Sequence, residues 1–218
     1  TINSIKANCQ KPIKTHIKID TGLHRQGFLP EEKEALIKTL KENKHCIQVE
    51  GLYTHFAAAK DPTSLEFTKK QIQIFKEWID VFKNAGFSPL IHASATAGTI
   101  LFPESHFDIV RVGAGLYGIW ASQEIKKKYE QVFKIEPILS WKTIISEIKM
   151  LKKGDTVGYD LTEKLVRDSK IAICPIGYWH GYPRSLSSVG FVLVNGVKVK
   201  VLGRISMDMI IIDITDVS

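Results

Sequence analysis

Residues 48–86 read QVEGLYTHFAAAKDPTSLEFTKKQIQIFKEWIDVFKNAG, and the period of the apolar residues changes inside this stretch from that of a strand to that of a helix. Gln48 to His55 is a run of strand length. Past Asp61, the residues Leu65, Ile72, Phe75, Ile79 and Phe82 recur at helical spacing. Thr63 and Glu66 are spaced as a capping box, and Gly86 stands where a C-cap belongs. A strand followed by an amphipathic helix is a βα unit, and the apolar face of that helix must cover a sheet. Ile13 to Ile19 and a helix from Pro30 to about Lys44 repeat the pattern. Leu90 to Ser94 and Asp108 to Val112 add two further strands, each ending where polar residues and glycines begin. Such alternation predicts a parallel sheet.

From about Val132 the pattern changes to short strands with tight turns. These are Ile144 to Ile148, Ile171 to Ile176, Phe191 to Val194, Val197 to Leu202 and Met209 to Ile214, with turns at Lys153-Gly154-Asp155 and Asn195-Gly196. Asn-Gly between apolar runs is a strong hairpin signal. The expected organisation is therefore α/β plus all-β, divided in a linker at Ala121 to Glu130. Residues 1–125 form part of a (β/α)8 barrel and residues 126–218 a β domain. Four βα units do not close an eight-unit barrel, which takes about 250 residues. More barrel is expected before Thr1.

With 44% hydrophobic and 24% charged residues among its 218, the chain has the composition of a folded globular protein. Neither a membrane-spanning apolar run nor a signal peptide is present, so a cytoplasmic location without membrane partners is expected. The net charge of +7 arises from basic residues interspersed with acids, Lys126, Lys127 and Lys128 being the densest run, read as a helix face or linker. This is a solvated surface and not a nucleic-acid platform. Cys9, Cys46 and Cys174 form no metal-binding pattern and are expected to be buried thiols; no metal site is expected.

Polar residues collect where the βα strands end: Lys18 to Arg25, Tyr53 to His55, His92 to Thr96, and Arg111 to Gly118. In a β/α barrel that edge carries the catalytic groups. One histidine near a strand end is usually structural. Two histidines, two arginines and a lysine at equivalent positions point to a shared site.

These same segments resemble the bacterial alanine racemases. Lys18 to Phe28 is similar to the family's K-x-D-T-G-x-x-R-x-G, Gly51 to Ala57 to G-x-x-T-H-F-A, and Phe107 to Gly118 to F-D-x-V-R-x-G-x-x-L-Y-G. Val157 to Tyr159 resembles the strand of the catalytic tyrosine, Ile176 to Arg184 the motif I-G-Y-x-D-G-Y-x-R, and Gly203 to Asp208 the motif G-R-x-x-M-D. The resemblance implies a barrel followed by a β domain, a head-to-tail homodimer sharing its active sites, pyridoxal 5′-phosphate as cofactor, and a two-base interconversion of L- and D-alanine that supplies peptidoglycan.

By the same resemblance, Tyr159 is the base for the L-enantiomer, reaching into the partner's barrel. A phenol with a pKa of about 10 needs help as a base. His55, backed by Arg111 and His92, matches the group that gives it. Arg111 matches the donor to the pyridine nitrogen, and a guanidinium cannot hand over its proton, which weakens the electron sink and disfavours transamination. Arg25 matches the arginine that meets the substrate carboxylate and the cofactor's phenolic oxygen. Lys18 matches a lysine that is carbamylated in many members; a plain salt bridge or a solvated lysine is the other reading. Thr96, Gly113 and Ala114 fall where the phosphate is cradled. Met207 offers its backbone N–H in trans, and Tyr178, Arg184 and Arg204 line the entrance.

Departures from the pattern are Ala95 for a common asparagine, His180 for an aspartate, Trp179 for a small residue and Lys60 for an acid. The lysine that forms the Schiff base has no counterpart by motif, so this chain alone is expected to be inactive. The alternatives are a serine racemase of the same architecture, or a non-catalytic protein that binds the cofactor or a partner chain.

Overall fold

In the computed structural model, which describes Ile5, Cys9 and residues 11–218, the chain divides into two compact units between Leu139 and Ser140. The first begins with strand β1 (Ile13–Lys18), a 3-10 turn at Pro30–Glu32 and helix α1 (Lys33–Glu42). It continues with β2 (Ile47–Tyr53), α2 (Leu65–Asn84), β3 (Leu90–His92), α3 (Thr96–Leu101) and α4 (Gln123–Tyr129). Strands β1, β2 and β3 lie side by side in parallel, as βα units require. Helix α2 buries Phe75, Trp78 and Phe82 completely, with Ile19, Leu40 and Leu52 in the same core.

Several expectations are corrected. Thr63 and Glu66 do not form a capping box. Instead Asp61 Oδ1 accepts from the Thr63 N–H at 2.9 Å and caps a 3-10 turn, Pro62–Ser64, that leads into α2. Glu66 pairs with Lys69 at 2.7 Å. Leu65 is exposed, and the buried stripe of α2 instead includes Thr68 and Gln71. Residues 108–112 form no strand: one bridge joins Ile109 to His92. There the Asp108 carboxylate accepts from the Ile91 N–H at 2.7 Å, taking the place of a ladder carbonyl. Gly86 ends α2 with φ +85°, a left-handed cap.

The expected free thiols fail for Cys9 and Cys46, which form a disulfide with Cα atoms 5.6 Å apart. They are 37 residues apart in sequence, so spacing could not reveal the pair. The Ile13 N–H donates to the Cys46 carbonyl at 2.9 Å, which lays the entry to β1 beside the entry to β2. Cys174 is free and buried. Helix α4, which carries the lysine run, is capped by Ser122 and buries Ile125.

The second unit contains β4 (Glu147–Leu151), β5 (Thr156–Val157), β6 (Glu163–Lys164), β7 (Ser169–Cys174), β8 (Phe191–Val194), β9 (Val197–Leu202) and β10 (Ile210–Asp213). Five of these form an antiparallel sheet in the order β4-β7-β10-β9-β8, while β5 and β6 pair separately. Asn195 (φ +50°) and Gly196 (φ +80°) make the β8–β9 hairpin turn that Asn-Gly dictates. The core holds Ala172, Val201, Ile205, Ile210 and Ile212. An α/β part-barrel followed by a β domain is the architecture. No helix among the described residues is long and apolar enough to cross a membrane.

Candidate active site

Strand register assembles the first half of the site. Lys18 at the end of β1 pairs with Tyr53 at the end of β2, which pairs with His92 at the end of β3. Three side chains thus stand abreast at one level. The Tyr53 ring stacks on His92 with centroids 5.0 Å apart and an interplanar angle of 10°. Lys18 Nζ lies 6.0 Å and the Arg111 guanidinium 5.4 Å from the Tyr53 ring centroid. Burial lowers the pKa of Lys18, as do Arg25 and Arg111, against an opposing pull from Asp20.

The loop after β1 folds back on itself. Buried Asp20 accepts from the N–H groups of Gly22 (2.9 Å) and His24 (3.0 Å). Burial pushes its carboxyl up, but these N–H bonds, with His24 and Leu23, hold it below its ordinary value. The Phe28 N–H donates to the Lys18 carbonyl and the Asp20 N–H to the Phe28 carbonyl, closing the loop that carries exposed Arg25. Gly27, at φ +124°, makes this closure; a Cβ there would stand 2.6 Å from Asp20 N.

Arg111 is the hub. Its Nη1 donates to His92 Nδ1 at 2.6 Å, and its Nη2 to the carbonyls of Thr54 and Ala93, both at 2.8 Å, with His55 Nδ1 at 3.3 Å. A guanidinium carries five N–H donors. Nε–H and one Nη1–H have no acceptor among the described residues. His92 Nε2 meets His16 Nδ1 at 2.8 Å. Burial, Arg111 and His16 push the pKa of His92 down to about 4. His55 is also lowered, by burial first and then by Arg111, Arg25 and Lys18. Both imidazoles are neutral at pH 7.

Beside this hub lies a cleft of about 390 Å³ lined by His55, Ala95, Thr96, Arg111, Gly113 and Ala114, among others. Thr96 Oγ1 accepts from the N–H groups of Gly113 (3.3 Å) and Gly115 (3.2 Å), which ties the start of α3 to the 3-10 turn Ala114–Tyr117. Both elements begin on the cleft, and the first N–H groups of a helical turn have no helical acceptor. Ala95 supplies no side-chain cap, and a Cβ on Gly113 would meet nothing within 4 Å. With the Gly113 and Gly115 N–H groups donating to Thr96, those of Ala97 and Ala114 on the cleft have no acceptor among the described residues and could meet an anion. Lys60 also lines the cleft.

In the second unit, the ends of β7 and β9 and the start of β10 come together, since Cys174 pairs with Ile210 and Leu202 with Ile211. The loop after β7 lies on the segment before β10: Tyr178 N–H donates to the Ser206 carbonyl at 3.1 Å and Trp179 N–H to the Met207 carbonyl at 2.8 Å. Gly177 is required there, because a Cβ would stand 2.3 Å from Ser206 O. The Arg184 guanidinium lies 5.5 Å from the Tyr178 ring centroid. His180 Nδ1 accepts from the Gly177 N–H at 3.2 Å, so the residue that departs from the motif ties its own turn. Tyr159 stands just past strand β5 and not within it, in the 3-10 turn Tyr159–Leu161, and is 65% exposed. Arg204 Nε lies 2.8 Å from Asp160 Oδ2, close enough for an ion pair though not aligned as a hydrogen bond.

The first unit thus gathers Lys18, His55, His92 and Arg111, with Thr96, Gly113 and Ala114 on the adjoining cleft and Arg25 on the closed loop. The second gathers Tyr178, Arg184, Arg204 and Met207 at one sheet end, with Tyr159 on the neighbouring turn. Sequence reasoning missed His16 and Gln71. His16 stands two residues before Lys18, the strand period for one face. Gln71 is a polar residue inside an apolar helical stripe.

The alanine racemase N-terminal domain model matches residues 1–120 and the C-terminal domain model residues 138–218. The alanine racemase of Leptospira interrogans is 40% identical over 94% of this chain and 53% of its own length. Alanine racemase 1 of Oceanobacillus iheyensis is 37% identical over 100% of this chain and 57% of its own. The chain thus spans about half the length of the curated relatives it matches. Among solved structures, alanine racemase of Bacillus anthracis with bound L-Ala-P aligns with a TM-score of 0.81 and 34% identity, over 97% of this chain and 54% of that one. Alanine racemase of Bartonella henselae with covalently bound pyridoxal phosphate gives a TM-score of 0.82 and 28% identity, over 100% of this chain and 58% of that one.

Proposed function

The chain belongs to the alanine racemase family, and on that premise we propose that the complete protein interconverts L- and D-alanine with pyridoxal 5′-phosphate. The observation that carries this reading is the Arg111 fork: a half-buried cation locked by His92, Thr54 and Ala93, with N–H donors to spare beside the cleft lined by Thr96, Gly113 and Ala114. The donor set fits the cofactor. Arg111 would hold the ring nitrogen, Thr96, Gly113 and Ala114 the phosphate, and Arg25 the phenolic oxygen. When bound, the cofactor supplies an electron-withdrawing ring that acidifies the Cα–H of an attached amino acid.

The chain's own residues supply the rest. A guanidinium stays protonated, so Arg111 donates a hydrogen bond without releasing a proton. Neutral His92 accepts from it and keeps it in place. Arg25, with the Met207 N–H from a second copy, binds the substrate carboxylate. Tyr159 takes the proton on the L side, assisted by His55 across the interface of a homodimer. Burial beside two arginines favours the neutral amine of Lys18, the form that adds carbon dioxide, releases a proton and becomes an anionic carbamate facing Arg25. Tyr178, Arg184 and Arg204 line the substrate entrance. The product D-alanine would serve cytoplasmic peptidoglycan synthesis.

The test is to incubate the purified complete protein with L-alanine and the cofactor and to measure D-alanine by chiral chromatography, with L-serine in parallel. Racemised alanine supports the reading. Serine racemised faster, or neither substrate turned over with the cofactor bound, overturns it.

A further inference from the structure

Gln71 lies fully buried in the apolar stripe of α2, where a leucine would pack without the cost of desolvating an amide. Its Oε1 accepts from the Ala57 N–H at 3.0 Å and its Nε2 donates to Thr21 Oγ1 at 3.2 Å. Thr21 Oγ1 lies 2.8 Å from Thr54 Oγ1, which donates to the Ile19 carbonyl at 3.0 Å. Each hydroxyl has one hydrogen, so the order is fixed: Gln71 to Thr21, Thr21 to Thr54, Thr54 to Ile19. The Ala57 N–H can only donate, which fixes the amide orientation as well. Thr21 and Thr54 are buried too.

The groups that this network joins are not scattered through the core. Thr21 opens the loop that carries Arg25, Ala57 is two residues past His55, and the Thr54 carbonyl accepts from Arg111 at 2.8 Å. We infer that Gln71 is a positioning residue that locks the Arg25 loop to the His55 loop and, through Thr54, to Arg111. This rests on the reaction proposed above, because it assigns the network's purpose to that site. Helix α2 touches no substrate through Gln71; it sets the distance between two groups that do.

A displacement of about 1 Å at a site can cost on the order of 100-fold in rate. In the complete protein, Gln71→Leu and Thr21→Val should each lower kcat/KM about 10- to 100-fold while the protein remains folded. Combining them should cost no more than about threefold beyond the worse single variant, since both break one link. Thr21→Ser, which keeps the hydroxyl, should recover most of the loss. Hydrogen exchange adds a readout independent of activity: in Gln71→Leu the Ala57 N–H should lose protection while that of Phe75 keeps it. Should Gln71→Leu fail to fold, the comparison of Thr21→Val with Thr21→Ser decides. Variants within about twofold of native kcat/KM, equal losses for valine and serine at position 21, or unchanged Ala57 protection would overturn the inference. If the native protein does not racemise alanine, the proposed function fails, and the exchange measurement still decides whether the link exists.

Discussion

Arg111 Nη1 donates to His92 Nδ1 at 2.6 Å, and that single bond sets the state of two histidines. With Nδ1 accepting, neutral His92 carries its proton on Nε2, which then donates to His16 Nδ1 at 2.8 Å. A proton on His92 Nδ1 would remove the acceptor and set a cation against the guanidinium. The folded-state pKa, about 4, lies below the ordinary 6.5, so the unfolded chain binds more protons between these values. Stability is then fully present above pH 6.5 and is lost as pH falls towards 4, by on the order of 3 kcal/mol. Urea unfolding across that range should show the decline, and the His92 ring proton should titrate near 4 by NMR. A His92 titration near 6.5 would refute the bond.

Gly51→Ala tests the far end of the same chain. A Cβ at position 51 would stand 2.1 Å from His16 Nδ1, so the ring must leave. Water then replaces the exposed His16 ring at His92 Nε2–H, and the lost intramolecular bond is worth about 0.5–1.5 kcal/mol. Thermal denaturation should show that loss, and Gly51→Ala combined with His16→Ala should be no less stable than Gly51→Ala alone. Native stability in Gly51→Ala would contradict the packing.

Local chemistry was legible in the sequence wherever it acts locally. The period change around residues 48–86, Gly86 as a helix stop and the Asn195-Gly196 turn all act over a few residues, and all appear in the fold. The motif residues Lys18, His55, His92 and Arg111 also converge: strands β1, β2 and β3 place their ends at one edge, and the bridge of Ile109 to His92 brings Arg111 there. What was hidden depends on register and side-chain competition. The Asp108 carboxylate replaces a ladder bond, Cys9 meets Cys46 across two strand entries, and Tyr159 begins a turn instead of ending a strand. His16 and Gln71 look like an ordinary strand residue and a helix residue until β2 and the loops are placed against them.

The turn that presents Tyr159 depends on a neighbour. Gly203 has φ +65°, and a Cβ there would stand 2.5 Å from the Val157 carbonyl oxygen, two residues before Tyr159. Gly203→Ala should cost about 1–3 kcal/mol of stability through the left-handed backbone alone. In the complete protein it should also lower kcat about 10-fold or more below the melting range, since the tyrosine shifts. A variant destabilised but catalytically native would show that Gly203 serves folding only.

The role proposed for Tyr159 is that of the base for one enantiomer of alanine, with a different group serving the other. Tyr159→Phe in the complete protein keeps the ring and removes the phenolic oxygen, so racemisation should fall in both directions by on the order of 10²- to 10⁴-fold. Proton exchange need not fall equally, because the second base still reaches its own face. In deuterated water the variant should therefore wash deuterium into D-alanine, with retained configuration, much faster than into L-alanine. Equal wash-in to both enantiomers, or loss of both with the cofactor still bound, would contradict the assignment of Tyr159.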